Sequence, residues 1–373
     1  MRLFATLTFA LTALVAASPS AVAQTPQRVF ISGHSLIDQP VPDYLARIAA
    51  SLGPPLQWNR QYLVGSAIRY RTQGRGRETG WAGYAIGQNR EGEGLNVVEE
   101  LRKPRTTDGQ PYDTLVITEQ HGVLDSIVMH DTVRHLRHYH ERFITGNAKG
   151  QTWFYEPWLG VTDKNDPSRW LAYERSAAPM WQCVVTRINT SLAAEGRADR
   201  IQSLPASLAL ATLVERATRG QVPELAAGST RATLDRLFHD QVHLTSLGAY
   251  YMALSVYAAT FGRTPVGAWA PEQVTPALAA ALQRVAWEAV SAERAARKPL
   301  PLEQCGPYLK QLAPTYFDYM RDDYWAHQEQ SLRQTYRRLR HEINWRWRLW
   351  DVFDDDPFRY DAATDKSYWL PAP

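Results

Sequence analysis

Short apolar runs alternate with longer amphipathic ones through most of the chain. Arg28–Ser32 (RVFIS) reads as a buried strand. Pro42 then opens a helix in which Leu45, Ile48 and Leu52 recur at +3 and +4 until Gly53 closes it. A second strand is expected near Leu56–Trp58. Asp113–Thr118 (DTLVIT) gives the clearest strand, dominated by apolar and β-branched residues. A helix over Ser126–Ile144, a strand over Gln151–Glu156, a helix over Ala178–Ala194, a short strand over Arg200–Leu204 and a helix over Leu208–Thr218 follow. Leu244–Phe261 is the last strong helix of the series. Strands alternating with helices predict a parallel sheet covered on both faces, with any ligand at the C-terminal strand ends.

Two stretches interrupt the pattern. Arg71–Gly94 holds seven glycines among Arg, Glu and Gln and reads as a long loop. After Pro265 the strands stop. Residues 272–296 look helical and rich in Ala. Further on, Leu332, Tyr336, Leu339, Ile343, Trp347, Trp350 and Phe353 fall on one helical face, with six arginines on the other. That helix either packs on the α/β body with its arginines in water or lies on a membrane or polyanionic surface.

The N-terminus changes the picture of where the protein works. Met1-Arg2 precedes an apolar run from Leu3 to Ala17, and Ala21-Val22-Ala23 precedes Gln24. This is the pattern of a secretory signal peptide over residues 1–23, too short for a comfortable membrane span, with a retained anchor as the alternative. Export to the periplasm or the outside is therefore expected, with no transmembrane helix after cleavage. In such a compartment Cys183 and Cys305 form one disulfide or remain two buried thiols, and the sequence leaves both open. Neither has the spacing of a nucleophile or a zinc ligand.

Composition adds little. The chain has 373 residues, 41 Lys+Arg against 38 Asp+Glu, and a formal charge of +3, which gives no argument for a nucleic-acid partner. Thirteen Trp and 18 Tyr point to a thick aromatic core or to exposed platforms. Trp153, Tyr155 and Trp158, at the end of the fourth strand, fit either use. His130, His135, His138 and His140 gather on one predicted helix without the spacing of a zinc face, so solvated helix surface is expected rather than a metal site.

Two short constellations carry candidate chemistry. Gly33-His34-Ser35-Leu36 follows the first strand, where an open α/β sheet presents reactive groups. Asp240-Gln241-Val242-His243 precedes the last strong helix. An Asp three residues before a His can fold back to fix its tautomer, leaving the other ring nitrogen to take a serine proton. Leu63-Val64-Gly65-Ser66 follows the second strand, and Thr118-Glu119-Gln120-His121 the third.

In this order the four blocks resemble those of the GDSL/SGNH hydrolases, over about Arg28 to Pro265. The resemblance implies a flavodoxin-like three-layer α/β/α sandwich with five parallel strands, occupying residues 24–265, with 266–373 as a helical extension. It implies Ser35 as nucleophile, His243 as base and Asp240 as its orienting carboxylate. The Ser35 and Gly65 N–H groups and the Gln120 amide would hold the oxyanion. His34 stands where the family usually has Asp, and Gln120 where it has Asn. His34, Glu119, His121 and Trp158 are weaker candidates for substrate contact. No cofactor is implied. The expected reaction is hydrolysis of an O-acyl ester, with acetyl groups on carbohydrate, a small molecule or a polysaccharide, as the leading substrate class. A polysaccharide O-acetyltransferase with the same triad and a degenerate glycan- or partner-binding protein are the alternatives.

Overall fold

In a computed structural model, the structure describes residues 27–76, 80–104, 108–324 and 356–371, with positions 336, 339, 340 and 343 between them. The expected signal peptide and most of the arginine-rich helix of 332–353 lie outside these residues.

Five strands form one parallel sheet: β1 (Gln27–Gly33), β2 (Leu56–Tyr62), β3 (Thr114–Thr118), β4 (Gln151–Tyr155) and β5 (Ile201–Leu204). Their order is β2-β1-β3-β4-β5, the flavodoxin-like doubly wound arrangement. Ser32 pairs with Gln61 on one side and Ile117 on the other, so the ends of β1, β2 and β3 finish together. β3 is buried along its whole length, as a strand covered on both faces must be.

Ten helices surround the sheet among the described residues: α1 (Val41–Leu52), α2 (Ile68–Thr72), α3 (Val97–Arg102), α4 (Thr132–Gly146), α5 (Ser168–Ala194), α6 (Ala206–Thr218), α7 (Thr230–Asp235), α8 (Ser246–Phe261), α9 (Pro276–Ala296) and α10 (Leu302–Tyr319). A further single turn spans Asp365–Tyr368. α1 packs on α8, and α9 lies across α8 and α6; α4 meets α2, α3 and α5, while α10 lies along α5. The protein is thus a three-layer α/β/α fold, and the helices after Pro265 share its continuous apolar core. No helix among the described residues is long and apolar enough to cross a membrane.

Three helices differ from the sequence expectation. α5 begins at Ser168, ten residues before Ala178, and runs through Pro179. The hydrogen bond that Pro179 cannot make is offset by burial of Trp170, Leu171, Tyr173 and Ala177 upstream of it. The helix expected over Ser126–Ile144 is broken: a wide turn spans Asp125–Met129, Asp131 takes a left-handed conformation (φ 55°), and α4 starts afresh at Thr132. α10 falls within the expected helical extension, where the sequence reading gave no helix bounds. It carries Cys305, which is bonded to Cys183 of α5 with the Cα atoms 5.8 Å apart.

The histidines of α4 are not solvated surface. His135, His138 and His140 are buried, because α4 is covered by α2, α3, α5 and the C-terminal segment. Each has its own partner: His135 Nδ1 meets Thr72 Oγ1 at 2.8 Å, His138 lies between Tyr84 and the Pro371 carbonyl, and His140 bridges Thr152 and Asp199. Among the described residues no three His, Cys, Asp or Glu side chains converge as a metal site.

Candidate active site

The nucleophile candidate follows from how β1 ends. Gly33 leaves no room for a side chain, since a Cβ there would fall 2.3 Å from Ile37 Cγ2. The chain therefore turns tightly into the loop that presents Ser35, with the Ile37 N–H donating to the His34 carbonyl at 3.0 Å.

The Asp240–His243 turn is held from both sides. Phe238 and Leu244 form an antiparallel bridge, and the His239 N–H donates to the His243 carbonyl at 2.8 Å. The loop after β4 clamps the tip: Trp158 Nε1 donates to the Val242 carbonyl at 3.0 Å and the Val161 N–H to the Gln241 carbonyl at 2.7 Å. Thr245 then caps α8 through the Gly248 N–H. A Cβ on Gly248 would sit 2.3 Å from the Leu237 carbonyl oxygen. Gly248→Ala is therefore expected to force the turn off α8, costing about 1–3 kcal/mol of stability and displacing His243 from Ser35. An unchanged melting curve would contradict this.

These two elements bring together residues 208 positions apart. Ser35 Oγ lies 2.9 Å from His243 Nε2, and His243 Nδ1 lies 2.6 Å from Asp240 Oδ2. Asp240 Oδ1 also accepts from the Val242 and His243 N–H groups, each at 2.7 Å. Partial burial pushes the Asp240 carboxyl upward, but these bonds from His243 and Val242 outweigh it and hold the group below its usual range. An ionised Asp240 accepts the Nδ1 proton, which leaves Nε2 free to accept from Ser35. The arrangement is open: the side chains of His243 and Asp240 are 44% and 48% exposed.

The loop after β2 reaches the same place. The Leu63 N–H donates to the Gly33 carbonyl at 3.1 Å, two residues before Gly65 and two before Ser35 respectively. Gly65 is exposed and left-handed (φ +56°), a conformation that suits glycine. In the loop after β3, Gln120 is half-buried, and its Oε1 is buried without a partner among the described residues. An amide carbonyl held this way is costly to the fold.

Three of the weaker candidates are corrected. His34, Glu119 and Trp158 are buried and spend their hydrogen bonds within the protein, so they present no surface for substrate contact. His34 Nε2–H donates to the Glu119 carbonyl at 2.8 Å, tying the Ser35 loop to the Gln120 loop. Burial pulls its imidazole down to about 3, with Arg71 adding to the effect, so the ring is neutral. Glu119 Oε1 accepts from the Ile68 and Gln120 N–H groups, and Oε2 from Thr132. Trp158 serves the His243 turn, and Trp153 and Tyr155 are also core residues. His121 is partly exposed, and burial together with the nearby His243 pulls it down to about 4.

Burial pushes the Glu119 carboxyl up from 4.5 to about 7, against the pull of Arg71 and its hydrogen bonds. Its stabilisation is fully present below pH 4.5 and is lost as pH rises to about 7, because the unfolded chain releases the proton first. Glu119→Gln fixes the neutral state. Its stability relative to wild type is expected to improve by about 3 kcal/mol across that window in chemical denaturation. A difference independent of pH would contradict this.

Sequence reasoning missed the buried polar layer beneath the site: Gln61, Arg71 and Tyr139. Gln61 Oε1 accepts from Ser32 and Tyr139, and its Nε2 donates to the carbonyls of Arg71, Gly83 and Ile86, holding down the glycine-rich loop. The available signal was β2 itself, where Asn59, Arg60 and Gln61 are three consecutive polar residues in a strand of a covered sheet.

No protein-family model matches the chain, and no curated protein matches it. A solved structure of a DUF4886 family protein from Bacteroides uniformis is similar, at 16% identity and a TM-score of 0.49, covering 74% of this chain and 98% of its own.

Proposed function

We propose that the protein is a serine ester hydrolase acting through Ser35, His243 and Asp240. The observation that carries this reading is the unbroken line of contacts from Ser35 Oγ through the His243 ring to Asp240, at 2.9 and 2.6 Å. In the proposed reaction His243 Nε2 takes the Ser35 proton as Oγ attacks the ester carbonyl. The Ser35 and Gly65 N–H groups and the Gln120 Nε2 hold the oxyanion. His243 then protonates the leaving alcohol. Water, deprotonated by His243, releases the acid from the acyl-Ser35. The exposure of His243 supports hydrolysis, since solvent reaches the base directly.

The substrate class proposed is an O-acyl ester of a small or polymeric carbohydrate, acetyl first. Hydrolysis of p-nitrophenyl acetate by residues 24–373, beside Ser35→Ala, tests the reaction. Turnover by the wild type alone supports it. Equal rates from both remove it and turn attention to acetyl transfer or binding.

A further inference from the structure

Three loops have to hold a common register for an oxyanion to be bound: the one after β1 with Ser35, the one after β2 with Gly65 and the one after β3 with Gln120. One side chain touches the base of all three. Arg71, in the last turn of α2, is fully buried. Its Nε donates to Ser32 Oγ at 2.9 Å, its Nη1 to the Ser66 carbonyl and to Ser66 Oγ at 2.7 Å each, and its Nη2 to the Thr118 carbonyl. Ser32 lies three residues before Ser35, Ser66 directly follows Gly65, and Thr118 lies two before Gln120. We propose that Arg71 is the positioning residue of the oxyanion hole, locking its three contributors into one geometry through a single guanidinium. The inference rests on the esterase reading of Ser35.

The chemistry of the side chain fits the task. A guanidinium is a rigid planar fork whose donors point in several fixed directions, whereas an ammonium is a single centre that cannot span three strand ends. A buried charge is a poor choice for stability alone, since an apolar side chain of similar volume would do as well or better. Arg71 is itself braced: its carbonyl accepts from Gln61 Nε2 at 3.1 Å, and Ser32 Oγ, which accepts from Arg71, donates to Gln61 Oε1 at 3.1 Å. Glu119, fixed in the loop beside Gln120, is the acidic group whose field acts on the guanidinium.

The test uses Arg71→Lys, Ser32→Ala and Ser66→Ala in residues 24–373, with p-nitrophenyl acetate as substrate. Active sites are titrated with a fluorophosphonate, so that kcat is read per folded site. Arg71→Lys is expected to lower kcat roughly 10²-fold, the scale of a lost oxyanion donor, with KM nearly unchanged. The pH profile stays in place, because the Asp240–His243 pair is untouched. In a double variant with Gln120→Ala the two losses overlap instead of multiplying, because both act on the same group. Ser32→Ala and Ser66→Ala each remove one bond to the guanidinium and lower kcat by roughly 3–10-fold. They decide the matter if Arg71→Lys does not fold. Wild-type kcat per site in the variants that fold, or losses that multiply in full with Gln120→Ala, would overturn the role of Arg71. A wild type no faster than Ser35→Ala would overturn the esterase reading itself, and this inference with it.

Discussion

On the proposed esterase reaction, Ser35→Ala and His243→Ala are each expected to reduce kcat/KM for p-nitrophenyl acetate by roughly 10⁴–10⁶-fold, the loss that follows removal of a member of a serine–histidine pair. The reason is that the two groups act as one. A serine hydroxyl is a weak nucleophile at neutral pH and attacks only as its proton leaves. The only base placed for that proton among the described residues is His243 Nε2, at 2.9 Å. The double variant is therefore expected to be little worse than either single one. Asp240→Asn keeps an acceptor for the Val242 and His243 N–H groups but presents an amide to Nδ1. That favours the wrong tautomer, and the expected loss is roughly 10³–10⁴-fold. All three side chains are partly exposed, so melting curves should barely move. A folded His243→Ala with wild-type turnover would contradict the assignment.

The largest effect on stability is expected from the disulfide. Cys183 and Cys305 are separated by 122 residues, and the chain-entropy argument gives about 4–5 kcal/mol for closing a loop of that length. Both cysteines are fully buried between α5 and α10, so their removal also loosens the packing there. The consequence reaches the candidate site by a short path. Tyr319 of α10 donates its hydroxyl to the Gly160 carbonyl at 2.6 Å, and the adjacent Val161 N–H holds the Gln241 carbonyl in the His243 turn. The Cys183→Ala/Cys305→Ala protein is expected to melt on the order of 10 °C lower than wild type. Added reductant should lower the wild type toward the same value. A double variant melting with wild type would show that the packing of α10 alone suffices.

The parts of this fold legible in the sequence are those that local pattern decides. DTLVIT and QTWFY could hardly be anything but buried strands, and the turn chemistry before α8 is compact in sequence. Parallel topology then does the rest: every strand points its C-terminal end the same way, so a Ser after β1 and an Asp-x-x-His turn near the chain's end are carried to one rim. What the sequence did not disclose depends on packing between distant elements. His34 and Glu119 adjoin Ser35 and Gln120 in the sequence, yet both are buried. The turn after β1 leaves His34 buried on the Glu119 carbonyl while Ser35 is presented, and Glu119 is buried on the Ile68 and Gln120 N–H groups. Arg71 sat unnoticed at the head of a glycine-rich loop, since nothing local distinguishes a buried arginine from a solvated one. The same holds for the α4 histidines: their cover comes from α2, α5 and the tail after residue 356, which periodicity along α4 cannot reveal.

Peptide mapping by mass spectrometry after reaction with a fluorophosphonate tests whether Ser35 is the nucleophile. One adduct per chain is expected, on Ser35, lost in Ser35→Ala and formed far more slowly in His243→Ala. No adduct on a folded protein, or an adduct on another serine such as Ser66 while Ser35 stays unmodified, would contradict it.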